Sequence, residues 1–129
     1  MDEILNNLKY DSNGLLTAVI QDDQTNEILM VAFMNQDAVK ETLATGKCCY
    51  WSRSRQKLWR KGESSGHSQK VKAIRLDCDG DALLIRVDQV GGACHAGYRS
   101  CFYRQIKDNR ELEIVGVKVF DEDAVYKKT

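Results

Sequence analysis

Proline is absent from the 129 residues, and no low-complexity tract takes its place, so nothing along the chain marks a linker. No internal repeat is present either. An excess of one charge is also missing: Lys plus Arg and Asp plus Glu both total 19, so no global field draws the chain toward nucleic acid or membrane. Any recognition of charge must be local. Long apolar runs are missing as well, since Ile28–Met34 and residues 82–85 fall far short of the roughly 20 residues of a membrane span. Residues 1–8 carry acids where a signal peptide needs basic residues. Together these absences predict one compact domain over residues 1–129, in the cytoplasm, with no membrane partner and no second folded unit.

What is present begins with five cysteines. The odd number and wide spacing point, in a reducing compartment, to metal binding, catalysis or burial rather than disulfides. Asp2 is placed to cap a short helix carrying Ile4, Leu5 and Leu8 on one face, with Lys9 near its C-terminal end. Residues 15–20 and Ile28–Met34 read as two strands joined by a polar turn through Asp22, Asp23, Gln24, Thr25 and Asn26. Asn35 offers an N-cap to a helix in which Ala38, Val39, Thr42 and Leu43 recur at helical spacing until Gly46. Residues 49–52, 71–76, 83–88, 101–106 and 114–119 are β-rich or alternating, and Asp79-Gly80 supplies a hairpin turn. The pattern predicts a small α+β domain dominated by strands.

Three segments carry candidate chemistry. The first is Asp77-Cys78-Asp79-Gly80-Asp81, in which carboxylates at every second residue of an extended chain would line one side while Cys78 points to the other. Oxygen-only ligands suit a hard ion such as Mg²⁺, and a solvated acidic turn explains the same letters. A calcium loop fails, because Ala82 stands where the sharp-turn glycine belongs and Asp88 where a bidentate Glu is required.

The second segment, residues 91–101, sets Cys94, His95 and Cys101 on a glycine-rich loop and with Cys78 spells Cys-x15-Cys-x6-Cys. Three thiolates suit Zn²⁺ and leave a coordination place for water, the arrangement of a catalytic rather than a closed structural site. Structural zinc and incidental buried thiols remain open on spacing alone. Thiolates on one zinc ion lie roughly 4 to 4.6 Å apart, whereas seven residues of straight helix span about 10.5 Å. The backbone between Cys94 and Cys101 must therefore bend, and Gly97 permits it. His95 is either a fourth ligand or a base beside the metal, and Cys48 and Cys49 lie outside the pattern.

The third segment, residues 50–67, concentrates Arg53, Arg55, Lys57, Arg60 and Lys61 within nine positions and follows them with Gly62, Ser64, Ser65, Gly66 and His67. Arginine forks, serine hydroxyls and exposed backbone N–H groups bind phosphate oxygens. A solvated basic face is the plainer explanation. Trp51 and Trp59 among these charges also fit a zinc-stabilised module that stacks single-stranded nucleic acid, although the acids at 77, 79 and 81 would repel its backbone. A zinc nucleobase deaminase is disfavoured, since its His-x-Glu and Pro-Cys-x-x-Cys signature is absent.

Taken in order, Tyr50-Trp51-Ser52-Arg53-Ser54-Arg55, Leu58-Trp59, Gly62, Ser65-Gly66, the 77–81 acids, Ala93-Cys94-His95 and Ser100-Cys101-Phe102 resemble the phosphoribosyl-AMP cyclohydrolase family, over about residues 30–106. The resemblance implies hydrolysis of the N1–C6 bond of the adenine ring in 1-(5-phosphoribosyl)-AMP, giving the formimino carboxamide ribotide in the third step of histidine biosynthesis. It implies catalytic zinc on Cys78, Cys94 and Cys101 and magnesium on Asp77, Asp79 and Asp81. It further implies an intertwined homodimer sharing each zinc site, Cys78 coming from one subunit and the Cys94–Cys101 pair from the other, within a strongly bent mixed sheet forming a pseudobarrel. On this footing His95 is the expected general base and His67 a second candidate. Trp51, Ser52, Arg53, Ser54, Arg55, Gly62, Ser64, Ser65, Gly66 and His67 are the expected binding residues for a small phosphorylated nucleotide rather than a nucleic-acid polymer. The chain ends 28 residues after Cys101, which predicts a form without the fused pyrophosphohydrolase found in many relatives. Cys48 and Cys49 stand where aromatic or aliphatic residues are commoner in the family.

Overall fold

The structure, a computed structural model, describes residues 2–121. α1 (Asp2–Asn6) is a five-residue helix with no basic residue in its last turn. The side chain of Asp2, its expected cap, lies outside the described residues. Lys9 lies three residues past the helix, and its backbone N–H donates to Gly80 O at 2.8 Å.

β1 (Leu16–Asp22) and β2 (Ile28–Met34) form the expected antiparallel hairpin. α2 (Gln36–Thr45) follows with both expected caps: Asn35 Oδ1 accepts from Ala38 N at 2.8 Å, and Gly46, at φ +73°, donates to Thr42 O. Only a residue free of Cβ crowding adopts that left-handed conformation cheaply, so the helix stops there.

β3 (Cys49–Ser52) and β4 (Lys57–Arg60) make a two-stranded hairpin, and β4 is a strand that periodicity did not reveal. β5 (Gln69–Leu76) and β6 (Ala82–Gln89) are antiparallel, and β6 runs parallel to β1, so the main sheet is mixed in the order β2-β1-β6-β5. Leu16, Ala18, Ile20 and Asp22 on β1 alternate inward beside Leu83, Ile85, Val87 and Gln89 on β6. This period-two burial packs one sheet face onto α2 and leaves the other face partly open.

β5 also reaches beyond its sheet. A bridge between Lys47 and Lys70, with Cys48 N donating to Gln69 O at 3.1 Å, carries the edge toward the β3–β4 hairpin. Among the described residues the sheet bends there without closing into a barrel. Inside the bend, Tyr50 Oη donates to Gln69 Oε1, and Gln69 Nε2 to Gln89 Oε1 at 2.7 Å. All three residues are buried, and such a partnered polar chain fixes the hairpin against the sheet.

The C-terminal part departs from expectation. The strand expected at 101–106 is shortened to β7 (Arg104–Ile106), and that expected at 114–119 is replaced by β8 (Leu112–Ile114). Residues 115–119 have β-forming side chains but no strand partner; Tyr98 and Lys118 form a single bridge. Ile106 is 73% and Val117 67% exposed, so this arm leaves an apolar surface uncovered.

Candidate active site

The two thiols of the glycine-rich loop meet. Cys94 N donates to Tyr98 O at 3.2 Å, Gly97 N to Cys94 O at 3.1 Å, and Ala93 N to Arg99 O at 2.9 Å. These bonds fold residues 93–99 into a tight reversal. Gly97 sits at φ +98° with Phe120 O only 2.6 Å from where a Cβ would stand, so a side chain there would meet both strain and collision. Beyond the reversal, Cys101 N donates to Leu29 O at 2.7 Å and Ser100 Oγ to Ile28 O at 2.7 Å, and the Cys101 thiol comes within hydrogen-bonding reach of Cys94. Ala96 N points at Cys94 Sγ, 3.4 Å away.

Arg99 holds this loop to the main sheet. Its Nη2 donates to Asp22 Oδ2 at 3.0 Å and its Nη1 to Gly91 O at 3.0 Å. Burial alone would raise the Asp22 carboxyl, but bonds from Thr25, Arg99 and the Gln24 N–H outweigh it and hold the group below its ordinary value. The folded pKa is therefore lower than the unfolded one. Its stabilisation is present above the unfolded pKa, about 3.9, and is lost as pH falls through the folded value. Asp22→Ala is expected to cost about 3–5 kcal/mol by stranding Arg99 in a partly buried place, read by denaturant unfolding at neutral pH. A cost under about 0.5 kcal/mol, the range of an unremarkable surface change, would show that Arg99 does not anchor the loop.

Lys61 lies beneath the thiol pair, a placement not expected from the basic run. It is buried, its Nζ donates to Ala93 O at 2.8 Å, and it interacts electrostatically with Cys101, Cys94 and Cys48. Burial pulls its ammonium below the ordinary lysine value, while the sulfurs pull it back up. Burial and the neighbouring Cys94 push the Cys101 thiol up.

The other two cysteines are core residues. Cys48 and Cys49 are buried, and burial foremost pushes their thiols to about 11 and about 12.

Cys78 is elsewhere. It is exposed on the β5–β6 turn, and among the described residues of one chain it does not group with Cys94 and Cys101 at metal-ligand distance. The turn corrects one expectation: residues 77–81 are not extended, so alternation does not align the carboxylates. The chain reverses instead, with Gly80 at φ +76° wedged so close to Asn7 O that a Cβ would lie 2.2 Å from it. Asp77 Oδ1 accepts from Asp81 N at 3.0 Å and Ala82 N at 3.2 Å. The ligand atoms of Asp77, Asp79 and Asp81 thereby lie within 4.8 Å of one another, all exposed. Alternate residues of a strand would stand roughly 6.6 Å apart. Hydrogen bonding to Asp77 and Asp79 raises the Asp81 carboxyl, as expected of acids crowded together. The donor set fits a hard divalent metal.

The basic run divides by partner rather than forming one stripe. Arg60 makes a two-pronged ion pair with Glu41 at 2.7 Å, and Lys61 is turned inward. Arg53 stacks its guanidinium 4.0 Å over the Phe33 ring. With Trp51, Asn13, Leu15, Asn35 and Gln56 it lines a largely polar cleft of about 350 Å³, a volume suited to a small ligand. Ser52 Oγ accepts from Arg55 N at 3.2 Å and lies 3.4 Å from Ser54 Oγ. Farther along, Gly62 at φ +87° packs against Ser68, and Ser65 Oγ accepts from His67 N at 3.2 Å, shaping the 62–67 loop in which Ser64 and Gly66 are exposed. His67 stacks edge-on to Phe120, ring centroids 4.5 Å apart, and fills the space a Gly91 side chain would need. Burial first and Lys61 second lower its pKa. His95 stands exposed in the turn directly after Cys94.

These positions coincide with a known pattern. A family model described as phosphoribosyl-AMP cyclohydrolase matches residues 30–103. A phosphoribosyl-AMP cyclohydrolase of Methanococcoides burtonii is 58% identical over 122 residues, covering 95% of this chain and 98% of its own. One from Chlorobaculum tepidum is 55% identical over 96% of this chain and 90% of its own, and one from Methanosarcina barkeri 61% identical over 88% and 85%. The matched span takes in the thiol loop, the acidic turn and the β3–β4 hairpin, and with relatives this similar over nearly its whole length the chain belongs to the phosphoribosyl-AMP cyclohydrolase family, a family of hydrolytic enzymes.

Proposed function

We propose that the chain is a phosphoribosyl-AMP cyclohydrolase that adds water across the N1–C6 bond of the adenine ring of 1-(5-phosphoribosyl)-AMP, the third step of histidine biosynthesis, acting as one cytoplasmic domain. The observation that carries this reading is the meeting of the Cys94 and Cys101 thiols at a folded-back loop, with His95 exposed beside them.

Cys94 and Cys101 fit two corners of a zinc site, and Cys78 is the proposed third ligand. Zn²⁺ bound there would supply Lewis acidity and make a water nucleophilic near neutral pH. His95 takes a proton from the attacking water, N1 gains one as its bond to C6 breaks, and the ring opens with one water added. His67 is a second candidate for that proton traffic. Arg53 and Arg55 hold phosphate oxygens together with Ser52, Ser54, Ser64, Ser65 and the Gly62 N–H, in a loop closed by the bond from Gly66 N to Gly62 O, while Trp51 offers a flat wall to the nucleotide. Asp77, Asp79 and Asp81 would hold Mg²⁺, offsetting ligand charge.

The same reading takes the enzyme as an intertwined homodimer in which the bent sheet of each copy completes a pseudobarrel. Cys78 then comes from one copy and Cys94 with Cys101 from the other. The separation of Cys78 from the pair within one chain supports this, as does the uncovered apolar arm around Ile106, Leu112, Ile114 and Val117.

The test is to incubate purified protein with 1-(5-phosphoribosyl)-AMP and follow a mass gain of one water, with metal analysis of the same sample. Ring opening that disappears on chelation and returns with Zn²⁺ is expected. No turnover by zinc-loaded protein, with salt-steep oligonucleotide binding in its place, would favour a nucleic-acid module instead.

A further inference from the structure

We infer that Lys61 is a positioning residue whose ammonium group is the built-in counter-charge of the thiol site, setting how tightly that site holds zinc. The inference rests on reading Cys94 and Cys101 as zinc ligands.

A lysine is almost never buried unless something compensates its charge. Lys61 is buried, and among the described residues no carboxylate lies within ion-pair distance of it. Its neighbours are the Ala93 carbonyl at 2.8 Å, the Trp59 ring at 5.6 Å and the sulfurs of Cys101, Cys94 and Cys48. Neutral thiols compensate little. Zn²⁺ with three thiolates carries one net negative charge, and one ammonium cancels it.

The backbone makes the placement specific. Lys61 N donates to Cys48 O at 3.1 Å, just past the end of β4, while Arg60 turns outward to Glu41. The bond from Nζ to Ala93 O then fixes the residue before Cys94. Lys61 thus supports the thiol pair in two ways, by charge and by orienting the turn.

Zinc affinity separates the charge role from mere packing. Full-length wild type, Lys61→Met, Lys61→Arg and Cys94→Ser are titrated with Zn²⁺ against a chelator of known affinity. Lys61→Met keeps the apolar stem and is expected to bind zinc about tenfold or more weakly, with Lys61→Arg nearer to wild type. A folded Lys61→Met within about twofold of a tight-binding wild type would overturn the counter-charge inference alone, because loss of a coupled charge cannot leave metal affinity unchanged. A wild type that binds no zinc, or binds it as Cys94→Ser does, overturns the ligand reading and this inference with it. Should Lys61→Met fail to fold, the ¹⁵Nζ resonance of Lys61 in wild type, assigned by its absence from Lys61→Arg, serves instead. Zinc loading is expected to shift it and slow its exchange with solvent, and an unmoved resonance counts against the inference.

Discussion

Serine at Cys94 or Cys101 is expected to release zinc and lower turnover by at least about 10⁴-fold, because the reaction then loses the Lewis acid that makes water nucleophilic at neutral pH. The oxygen of serine is a poor substitute for a soft thiolate. The informative comparison is Cys48→Ser. Cys48 also neighbours Lys61, but it is a core residue whose backbone pairs with Gln69 and Lys61, and it lies outside the loop that brings Cys94 and Cys101 together. That variant is expected to retain its zinc, read as metal per chain after gel filtration. Zinc lost from Cys48→Ser but kept in Cys101→Ser would assign the ligands wrongly.

His95→Ala is expected to lower kcat by about 10²- to 10⁴-fold, the usual worth of a positioned proton-transfer group, while zinc per chain stays at the wild-type level. The two readouts divide its possible roles. As a base, His95 acts on the proton and leaves the metal in place; as a fourth ligand, its removal costs zinc together with activity. The exposed position, one residue past Cys94 in a turn closed by Gly97, suits a group that must meet solvent-borne substrate. Zinc loss in step with kcat would move His95 into the ligand set and leave His67 as the remaining candidate base.

Much of this was legible from the letters because local chemistry determined it. Asn35 and Gly46 mark the ends of α2, and unbroken β-formers mark β2 at the bounds observed. The chain reverses between Cys94 and Cys101, as expected, and it does so at Gly97, the residue whose freedom the sequence pointed to.

What stayed hidden depends on tertiary partners. Lys57–Arg60 offers little apolar alternation, so β4 is specified by its pairing with β3. Residues 114–119 alternate like a strand, yet only Ile114 joins one, since β-propensity without a partner edge does not make a sheet. Lys61 reads as one more charge in a basic run, and nothing nearby in sequence announces that the acceptor of its ammonium, Ala93 O, lies 32 residues away. The acidic cluster was found for an incomplete reason: its carboxylates converge through a turn wedged under α1, not through alternation.

Mixing two inactive variants, Cys78→Ser and Cys94→Ser, tests most directly whether two copies build each zinc site. After subunit exchange, half the dimers pair unlike chains, and each of these holds one site with all three thiols intact. Activity is expected to return to about one quarter of wild type, with matching recovery of zinc. Mixtures that stay as inactive as either variant alone, although subunit exchange is confirmed by mass labelling, would contradict the shared site.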